Sequence, residues 1–373
     1  MSDEQLPEPD RIDGAPHPRD SVRIVGQDAA QAAFLEAFNS GHLHHAWLIT
    51  GPKGTGKATL AWAIARFLLA TPPDDGGGLF GAPPPVESLN IDPEHPVARR
   101  MRSGAEQGLF VLRRPWDDKA KRLRQEITVE EARKMKGFFA LSSADGGRRV
   151  VIVDSADELN VNAANAILKI LEEPPARTTI LMVAHQPSAL LPTIRSRCRE
   201  LRLAPLGRAD LETVLAQSGV EVEGPVEALS ALSGGSAGEA VRLSLLGGPK
   251  LYAELIQTFS ALPRLDRAAA IRLADSATGR GAEDRRDLIH GLTDLFLSRL
   301  ALTGALGQPP GTEAAPGEFD LLMRLAPDAR SARRWAETAA EIGGRTRHGR
   351  AVNLDPAALI LDTLFRLQKT AAA

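Results

Sequence analysis

The stretch that decides the fold is Gly51-Pro-Lys-Gly-Thr-Gly-Lys-Ala-Thr59, which directly follows the apolar run Ala46-Trp-Leu-Ile-Thr50. Thr59 to Ala70 then has the residue pattern of a helix. A strand, a glycine-rich loop and a helix in this order are the context in which a phosphate-binding P-loop is credible. The glycines let backbone N–H groups curl around phosphate oxygens, and Lys57 would reach the outer phosphates. The segment therefore predicts phosphate-loop ancestry.

The position after the P-loop lysine departs from this pattern. A serine or threonine hydroxyl normally stands there and ligates Mg²⁺, whereas this chain has Ala58. Thr59 is no simple substitute, because one helical step turns a side chain by roughly 100° about the axis. We therefore expect weak ATP or ADP binding at most, with no cofactor required.

A second segment, Arg149-Val-Val-Ile-Val-Asp154, has the continuous apolar pattern of a strand buried on both faces. Its terminal aspartate is placed to help hold Mg²⁺ in a P-loop site. The next residue should be a carboxylate that orients the attacking water, but it is Ser155, a poor base at neutral pH. We expect Asp157 and Glu158 to point elsewhere. The candidate residues of this degenerate nucleotide site are Gly51, Gly54, Gly56, Lys57, Thr59 and Asp154.

Short apolar strands alternate with helices through the first half of the chain, which predicts an α/β fold with a parallel, doubly wound sheet. The predicted strands are 46–50, 109–112, 150–153 and 180–183. After about Pro205 the pattern becomes entirely helical. The predicted parts are a flexible tail (1–20), a P-loop α/β domain (21–204) with a loop or insertion (72–96), a helical lid (205–247) and a helical bundle (248–373).

Composition excludes several classes of function. Lys and Arg number 45 against 47 Asp and Glu, so no global charge favours autonomous nucleic-acid binding. Cys198 is the only cysteine, which excludes an intrachain disulfide and a cysteine-ligated metal. His42, His44 and His45 cluster without cysteine or carboxylate companions, so no metal site is predicted. No apolar run is long enough to span a membrane, and we expect a cytoplasmic protein.

Two arginines lie close together in Pro192-Thr-Ile-Arg195-Ser-Arg197-Cys198, just after the fourth predicted strand. At this position an arginine can leave its own domain and neutralise charge on a neighbour's γ-phosphate, as an arginine finger supplied in trans. Alone, such a pair is more often a solvated helix end. An arginine that senses the γ-phosphate could have stood near Gly238, and none does.

Several segments together resemble the AAA+ clamp-loader family of bacterial DNA polymerase III. The carriers of this resemblance are Val25-Gly-Gln27, His44-His-Ala-Trp47, 51–59, 151–157, Ala164-Asn-Ala-Ile-Leu-Lys-Ile-Leu-Glu-Glu-Pro-Pro175 and 187–198. The run from 164 to 175 followed by Ser196-Arg197-Cys198 is highly specific. The resemblance covers Val25 to about Leu203 well, and the helical half agrees mainly in order and length.

The resemblance implies an AAA+ P-loop domain, a helical lid and an all-α collar bundle. It also implies a non-catalytic stator role, in which Arg197 is offered to the ATP site of a neighbouring subunit. The implied partners are the motor (gamma/tau) and delta subunits and, through the complex, the sliding clamp and primer–template DNA. Some family members carry a four-cysteine zinc module between the two nucleotide motifs. The corresponding region here, 72–112, has no cysteine, so no zinc is expected and packing by Leu79, Phe80 and Val97 would hold it.

Two other functions were weighed against the stator. An ATP-hydrolysing motor subunit of the same family conflicts with Ala58 and Ser155, and a small-molecule P-loop kinase lacks an arginine-rich lid. The role of the last helix stays open. Its leucines recur at helical spacing and indicate either an oligomerisation element or packing inside their own bundle. They are Leu359, Leu361, Leu364 and Leu367.

Overall fold

The computed structural model describes residues 7–12, 14–21, 23–71, 84–140, 147–222, 224–279 and 281–373. The chain divides into two compact units. The first is Met1–Ser218 with Ser236–Gly238, and the second is Gly219–Gly235 with Glu239–Ala373. The predicted boundary between a lid (205–247) and a collar (248–373) does not separate units here, and it stays a prediction. In the described ranges, no helix is both long and apolar enough to cross a bilayer.

The first unit is built around a five-stranded parallel sheet. Its strands, with a two-stranded hairpin, are β1 (Ala46–Thr50), β2 (Leu109–Arg113), β3 (Trp116–Asp117), β4 (Arg122–Leu123), β5 (Arg149–Asp154), β6 (Thr178–Val183) and β7 (Arg199–Arg202). Its helices are α1 (Asp28–Asn39), α2 (Lys57–Ala70), α3 (Pro96–Arg102), α4 (Val129–Ala140), α5 (Val161–Glu172), α6 (Pro192–Arg195) and α7 (Arg208–Ser218). The strand order is β2-β5-β6-β1-β7, and β3 pairs with β4 in the antiparallel hairpin.

Alternating side chains of the central strands fill two apolar layers, one on each face of the sheet. Trp47 and Ile49 of β1 enter the layer formed with α1, α2 and α3, while Leu48 enters the layer formed with α4, α5 and α6. The strands of a sheet covered on both faces must be apolar at every position. This requirement explains the continuous apolar runs in the sequence, and the predicted α/β fold with a doubly wound parallel sheet is confirmed.

The second unit is entirely helical over its described residues, as predicted. Its helices are α8 (Val226–Ser233), α9 (Ala237–Leu245, of which the first two residues group with the first unit), α10 (Gly248–Ser260), α11 (Arg267–Asp275), α12 (Glu283–Leu306), α13 (Glu318–Leu325), α14 (Ala329–Ala351) and α15 (Pro356–Ala371). Three of the α15 leucines, Leu359, Leu364 and Leu367, are buried within their own unit. Leu361 is only partly buried, so internal packing accounts for three of the four leucines, and a role of this helix in oligomerisation stays a prediction.

The structure corrects the prediction that residues 1–20 form a flexible tail. Residues 1–6 and 13 lie outside the described part, but the described residues 7–12 and 14–20 pack onto the first unit. The Asp10 side chain is only 1% exposed and the His17 side chain 4%. The acidic, proline-rich composition predicted disorder because it offers little apolar area to bury. Ion pairs and hydrogen bonds to α2 and β2 fix the segment instead. Leu79 and Phe80 lie outside the described residues, whereas Val97 is buried in α3.

A buried polar network joins α10, α12 and α13 of the second unit. Glu318 is fully buried and pairs with Arg299, whose Nε lies 2.6 Å from Glu318 Oε1. Tyr252 Oη donates to the same oxygen at 2.6 Å, and the Ala314 N–H donates to Oε2 at 2.7 Å. Arg299 Nη2 also donates to the Thr312 carbonyl at 2.7 Å. The network thus holds the Pro/Gly-rich connection between α12 and α13.

We predict that Glu318→Ala destabilises the protein by about 3–5 kcal/mol, because it leaves the Arg299 guanidinium buried without its carboxylate. Urea unfolding followed by circular dichroism measures this loss. The matched control is Asp287→Asn, which breaks the half-exposed Asp287–Arg350 pair at 2.8 Å. That change should cost at most about 1 kcal/mol. Equal losses in both variants would contradict the assigned role of the buried network.

Candidate functional site

The P-loop connects β1 to α2 at the side of the sheet where the parallel strands have their carboxyl ends, which we call the carboxyl edge. Gly51, Gly54 and Gly56 all have positive φ angles, of 136°, 79° and 91°. A Cβ on Gly51 would lie 2.5 Å from the Leu203 carbonyl oxygen, and one on Gly54 would lie 2.1 Å from Ser236 Oγ. Both the backbone conformation and the available space therefore require glycine at these two positions.

Lys57 is the first residue of α2 and is 3% exposed. Its Nζ donates to the carbonyl oxygens of Gly51 at 2.8 Å and Pro52 at 2.6 Å, so the ammonium lies inside the loop. Burial lowers the pKa of Lys57 to about 8, although the nearby carboxylates of Asp154 and Asp157 oppose the shift. At neutral pH this group still carries the positive charge that a phosphate would need.

Positions 58 and 59 follow in the first turn of α2. The Ala58 side chain packs against the apolar layer beneath the sheet and offers no oxygen to a metal ion. Thr59 lies one residue further along the helix and is partly buried. The hydroxyl that a P-loop normally presents to Mg²⁺ is therefore replaced by a partly buried methyl group that packs against the core.

Asp154 ends β5 at the same edge of the sheet and is 5% exposed. Its Oδ2 is buried and has no hydrogen-bond partner among the described residues. Burial raises the pKa of Asp154 to about 7, and the carboxylates of Asp10 and Glu158 add to the shift. Arg113 and Lys57 act in the opposite direction. Near neutral pH and without a bound cation, the carboxyl group is therefore only partly ionised, so a cation that binds there would have to displace its proton.

The residues after Asp154 supply no base for water activation. Ser155 is buried, at 2% exposure. The Asp157 carboxylate accepts the His185 backbone N–H at 2.9 Å, and Glu158 pairs with Arg114 at 2.7 Å. Glu158 is thus engaged in an ion pair away from Lys57, whereas Asp157 lies close enough to Lys57 to oppose the lowering of its pKa, and only its Oδ1 has a hydrogen bond here.

Sequence reasoning missed two residues of this edge, Arg113 and His185. Arg113 ends β2 and is the register partner of Asp154 in the neighbouring strand. His185 follows β6 by two residues, and burial together with the charge on Lys57 lowers its pKa to about 4. His185 follows a buried parallel strand, and that position was an available signal, whereas Arg113 ends an edge strand of which only Leu112 is buried.

Gly238 contacts the P-loop directly. Its N–H donates to the Gly54 carbonyl oxygen at 3.0 Å, and a Cβ on Gly238 would lie 3.2 Å from Gly54 Cα. The sequence predicted that position 238 lies near the phosphate loop and lacks an arginine there. The structure places Gly238 against the loop, where the close backbone approach leaves little room for a side chain.

Arg197 lies where the sheet strands have their amino ends, whereas the P-loop lies where they have their carboxyl ends. It precedes β7, whose Arg199 is the register partner of Trp47 in β1, whereas the P-loop starts after Thr50. At about 3.3 Å per residue, the two sites are separated by more than roughly 13 Å along the strands. The Arg197 guanidinium donates to the Thr193 carbonyl at 3.0 Å and pairs with Glu172 at 2.9 Å. Arg197 is thus not part of its own chain's P-loop site.

The comparisons with known proteins fit this geometry. A family model described as DNA polymerase III, delta subunit, matches residues 26–207. The DNA polymerase III subunit delta' of Pseudomonas aeruginosa is 35% identical over 233 residues, which cover 62% of this chain and 65% of that protein. The subunit delta' of Bacillus subtilis is 31% identical over 202 residues, which cover 54% of each chain.

A subunit with a different name also matches. The DNA polymerase III subunit gamma/tau of Mycobacterium bovis is 27% identical over 317 residues, which cover 75% of this chain and 50% of that protein. The chain spans less than two thirds of the length of each of these three relatives.

We predict that Asp154→Asn stabilises the protein more at pH 8 than at pH 5. The folded pKa of about 7 exceeds the usual 3.8. The wild-type stabilisation from the buried proton is therefore complete below pH 3.8 and is lost as the pH rises through 7. The asparagine variant avoids this loss, so its relative gain should grow by about 2 kcal/mol between the two pH values. Urea unfolding in EDTA without nucleotide measures it, and an equal gain at both pH values would contradict the assignment.

Proposed function

We propose that this protein, whose residues 26–207 match the family model described as DNA polymerase III, delta subunit, is a non-catalytic stator subunit of the clamp loader. In this proposal, Arg197 acts as an arginine finger in the ATP site of a neighbouring motor (gamma/tau) subunit. The delta subunit, the sliding clamp and primer–template DNA are the further partners of the assembly. ATP hydrolysis by the neighbour would then depend on a residue that this chain supplies.

The observation that carries the proposal is the placement of Arg197 and Lys57 at opposite edges of one sheet. An arginine at the amino ends of the strands cannot reach a phosphate that is held by its own P-loop. It can, however, face the nucleotide site of another protomer. Its present partner, Glu172, is about half exposed. Such a surface pair contributes roughly 0–1 kcal/mol, so exchanging Glu172 for a phosphate costs little.

The state of the chain's own site supports the absence of hydrolysis. Ala58 gives no hydroxyl to Mg²⁺, Ser155 gives no carboxylate to the attacking water, and Gly238 gives no arginine to the γ-phosphate. Each loss affects a different contribution to phosphoryl transfer. An active motor would need replacements for all three, and the nearby Glu158 is engaged in an ion pair with Arg114.

The alternative is an ATP-hydrolysing motor subunit. It is favoured by the similarity to gamma/tau over 75% of this chain and by the retained P-loop lysine, Lys57. The two proposals differ in what the purified chain does alone, since a stator binds nucleotide weakly and does not turn it over.

We predict that Arg197→Ala leaves assembly of a reconstituted clamp loader intact but lowers its DNA-stimulated ATPase several-fold. An arginine finger is worth roughly 10³ to 10⁵ in rate at the site that it serves, while other sites of the assembly keep working. Steady-state phosphate release measures the effect. Arg195→Ala, two residues away on the same exposed segment, is the matched control and should leave the rate unchanged. Unchanged turnover in the Arg197 variant would remove the finger assignment.

We also predict that the purified chain binds ADP or ATP weakly, with little dependence on Mg²⁺, and does not hydrolyse ATP. The physical reason is the missing hydroxyl at Ala58 together with the partly protonated carboxyl of Asp154. Isothermal titration with and without Mg²⁺ measures binding, and Lys57→Ala should abolish it. Steady hydrolysis by the isolated chain, lost in Lys57→Ala, would instead establish the motor alternative.

A further inference from the structure

The chain's own N-terminal segment crosses the carboxyl edge of the sheet, where the P-loop and Asp154 lie. We call its described residues, 7–12 and 14–21, the N-terminal strap. The Asp10 carboxylate accepts the Trp62 Nε1–H at 3.1 Å and pairs with Arg113 Nη1 at 3.1 Å. Because Arg113 is the register partner of Asp154, these contacts fix Asp10 over the ends of β2 and β5.

The strap also reaches the P-loop. A Cβ built on Gly238 would lie 3.0 Å from Ile12 Cδ1 and 3.2 Å from Gly54 Cα, so Ile12 and the P-loop residue Gly54 both approach Gly238. Between Asp10 and Ile12 the strap therefore runs from the ends of β2 and β5 towards the glycine that the P-loop contacts. Further along, Arg66 of α2 holds the strap through the carbonyl oxygens of Ser21 at 2.9 Å and Arg19 at 2.7 Å.

The strap brings negative charge to this edge. Glu8 pairs with both Arg19 and Arg113, and the Asp10 side chain is 1% exposed. Burial alone would raise the pKa of Asp10, but the hydrogen bond from His17 and the charge of Arg113 lower it to about 2. Asp10 is therefore ionised at neutral pH. The same charge helps to raise the pKa of Asp154, which places the two carboxyl groups in one electrostatic neighbourhood.

The cluster of Glu8, Asp10 and His17 brings its donor atoms within 4.8 Å of one another, but its hydrogen bonds do not suit a metal ion. His17 Nδ1 accepts the Arg19 backbone N–H at 2.9 Å, so the ring proton is on Nε2. That nitrogen faces Glu8 Oε2 at 2.8 Å and Asp10 Oδ1 at 3.2 Å. A protonated nitrogen cannot ligate a metal, and the Glu8 oxygens already accept from Arg19 and Arg113. The cluster therefore stabilises the position of the strap through hydrogen bonds and ion pairs.

We propose that the N-terminal strap competes with nucleotide for the P-loop edge of its own chain. It holds the Asp10 carboxylate on Arg113, beside Asp154 at the carboxyl ends of β2 and β5, and it must move before a triphosphate can bind tightly. The inference concerns regulation of this chain's own site. It does not depend on Arg197, and failure of the finger assignment would leave it standing.

Two substitutions in the full chain test the proposal. Asp10→Asn removes one buried charge and the ion pair with Arg113, while Trp62→Phe removes the indole donor to Asp10, reduces the ring contacts with His17 and Arg19 and keeps every charge. Each should tighten ADP and ATPγS binding, by about tenfold for Asp10→Asn, as measured by isothermal titration. Asp92→Asn is the matched control, because Asp92 lies in an exposed turn and its Oδ1 only accepts the Glu94 N–H at 2.8 Å. Its affinity should equal that of the wild type.

Hydrogen exchange on the wild-type chain gives an independent readout that needs no substitution. At saturating ATPγS, peptides from residues 7–20 should lose protection, because the strap leaves the edge when nucleotide binds. Greater or unchanged protection of these peptides would overturn the proposal, since it would mean that the strap closes over nucleotide or ignores it. Unchanged or weaker nucleotide binding in both the Asp10 and Trp62 variants would overturn it as well.

Discussion

The parallel pairing of β1 with β7 is the constraint on which the functional geometry depends. Parallel strands send all their carboxyl ends to one edge, so the loop after Thr50 and the arginine before Arg199 must lie at opposite edges. No adjustment of side chains could bring Arg197 to its own phosphate loop without breaking this register. The sheet thus separates two parts that can change independently. The local nucleotide site can lose its chemistry while the distant arginine and its supporting helices stay intact.

Much of the fold could be predicted because a sheet covered on both faces leaves continuous apolar runs such as Val150–Val153. The edge strand β7 was missed, since of its residues Arg-Glu-Leu-Arg only Leu201 is buried. Helix α14 runs nine residues beyond its apolar pattern, past Gly343 and Gly344, to Ala351. There Gly349 allows Leu359 to approach so closely that a Cβ would lie 2.4 Å away. These contacts join segments distant in sequence or lie at an edge, and local periodicity carries no signal for either.

The candidate site was predictable only where a motif fixes the chemistry. The glycines and Lys57 occupy the positions that the P-loop pattern implies, and Asp154 ends its strand as expected. The residues that set the charge at this edge were not predictable, because they come from separate parts of the chain. Arg113 arrives through the register of β2, and Asp10 through a segment whose composition indicated disorder. Arg113 opposes the rise in the pKa of Asp154, whereas Asp10 adds to it, and Asp154 and Asp157 are the carboxylates that favour the charged form of Lys57.

The hydrogen bond between Gly238 and the Gly54 carbonyl restricts the evolutionary paths open to this chain. Any side chain gained at position 238 requires the P-loop and Ile12 to shift first, since its Cβ would start 3.0 Å from Ile12 Cδ1. A hydroxyl at position 58 or a carboxylate at position 155 would bring little benefit while that contact persists. Recovery of hydrolysis would require substitutions at positions 58, 155 and 238 together, and the first of them alone would not improve the nucleotide site. Under the proposed stator function, the loss of hydrolysis would therefore be hard to reverse by single substitutions.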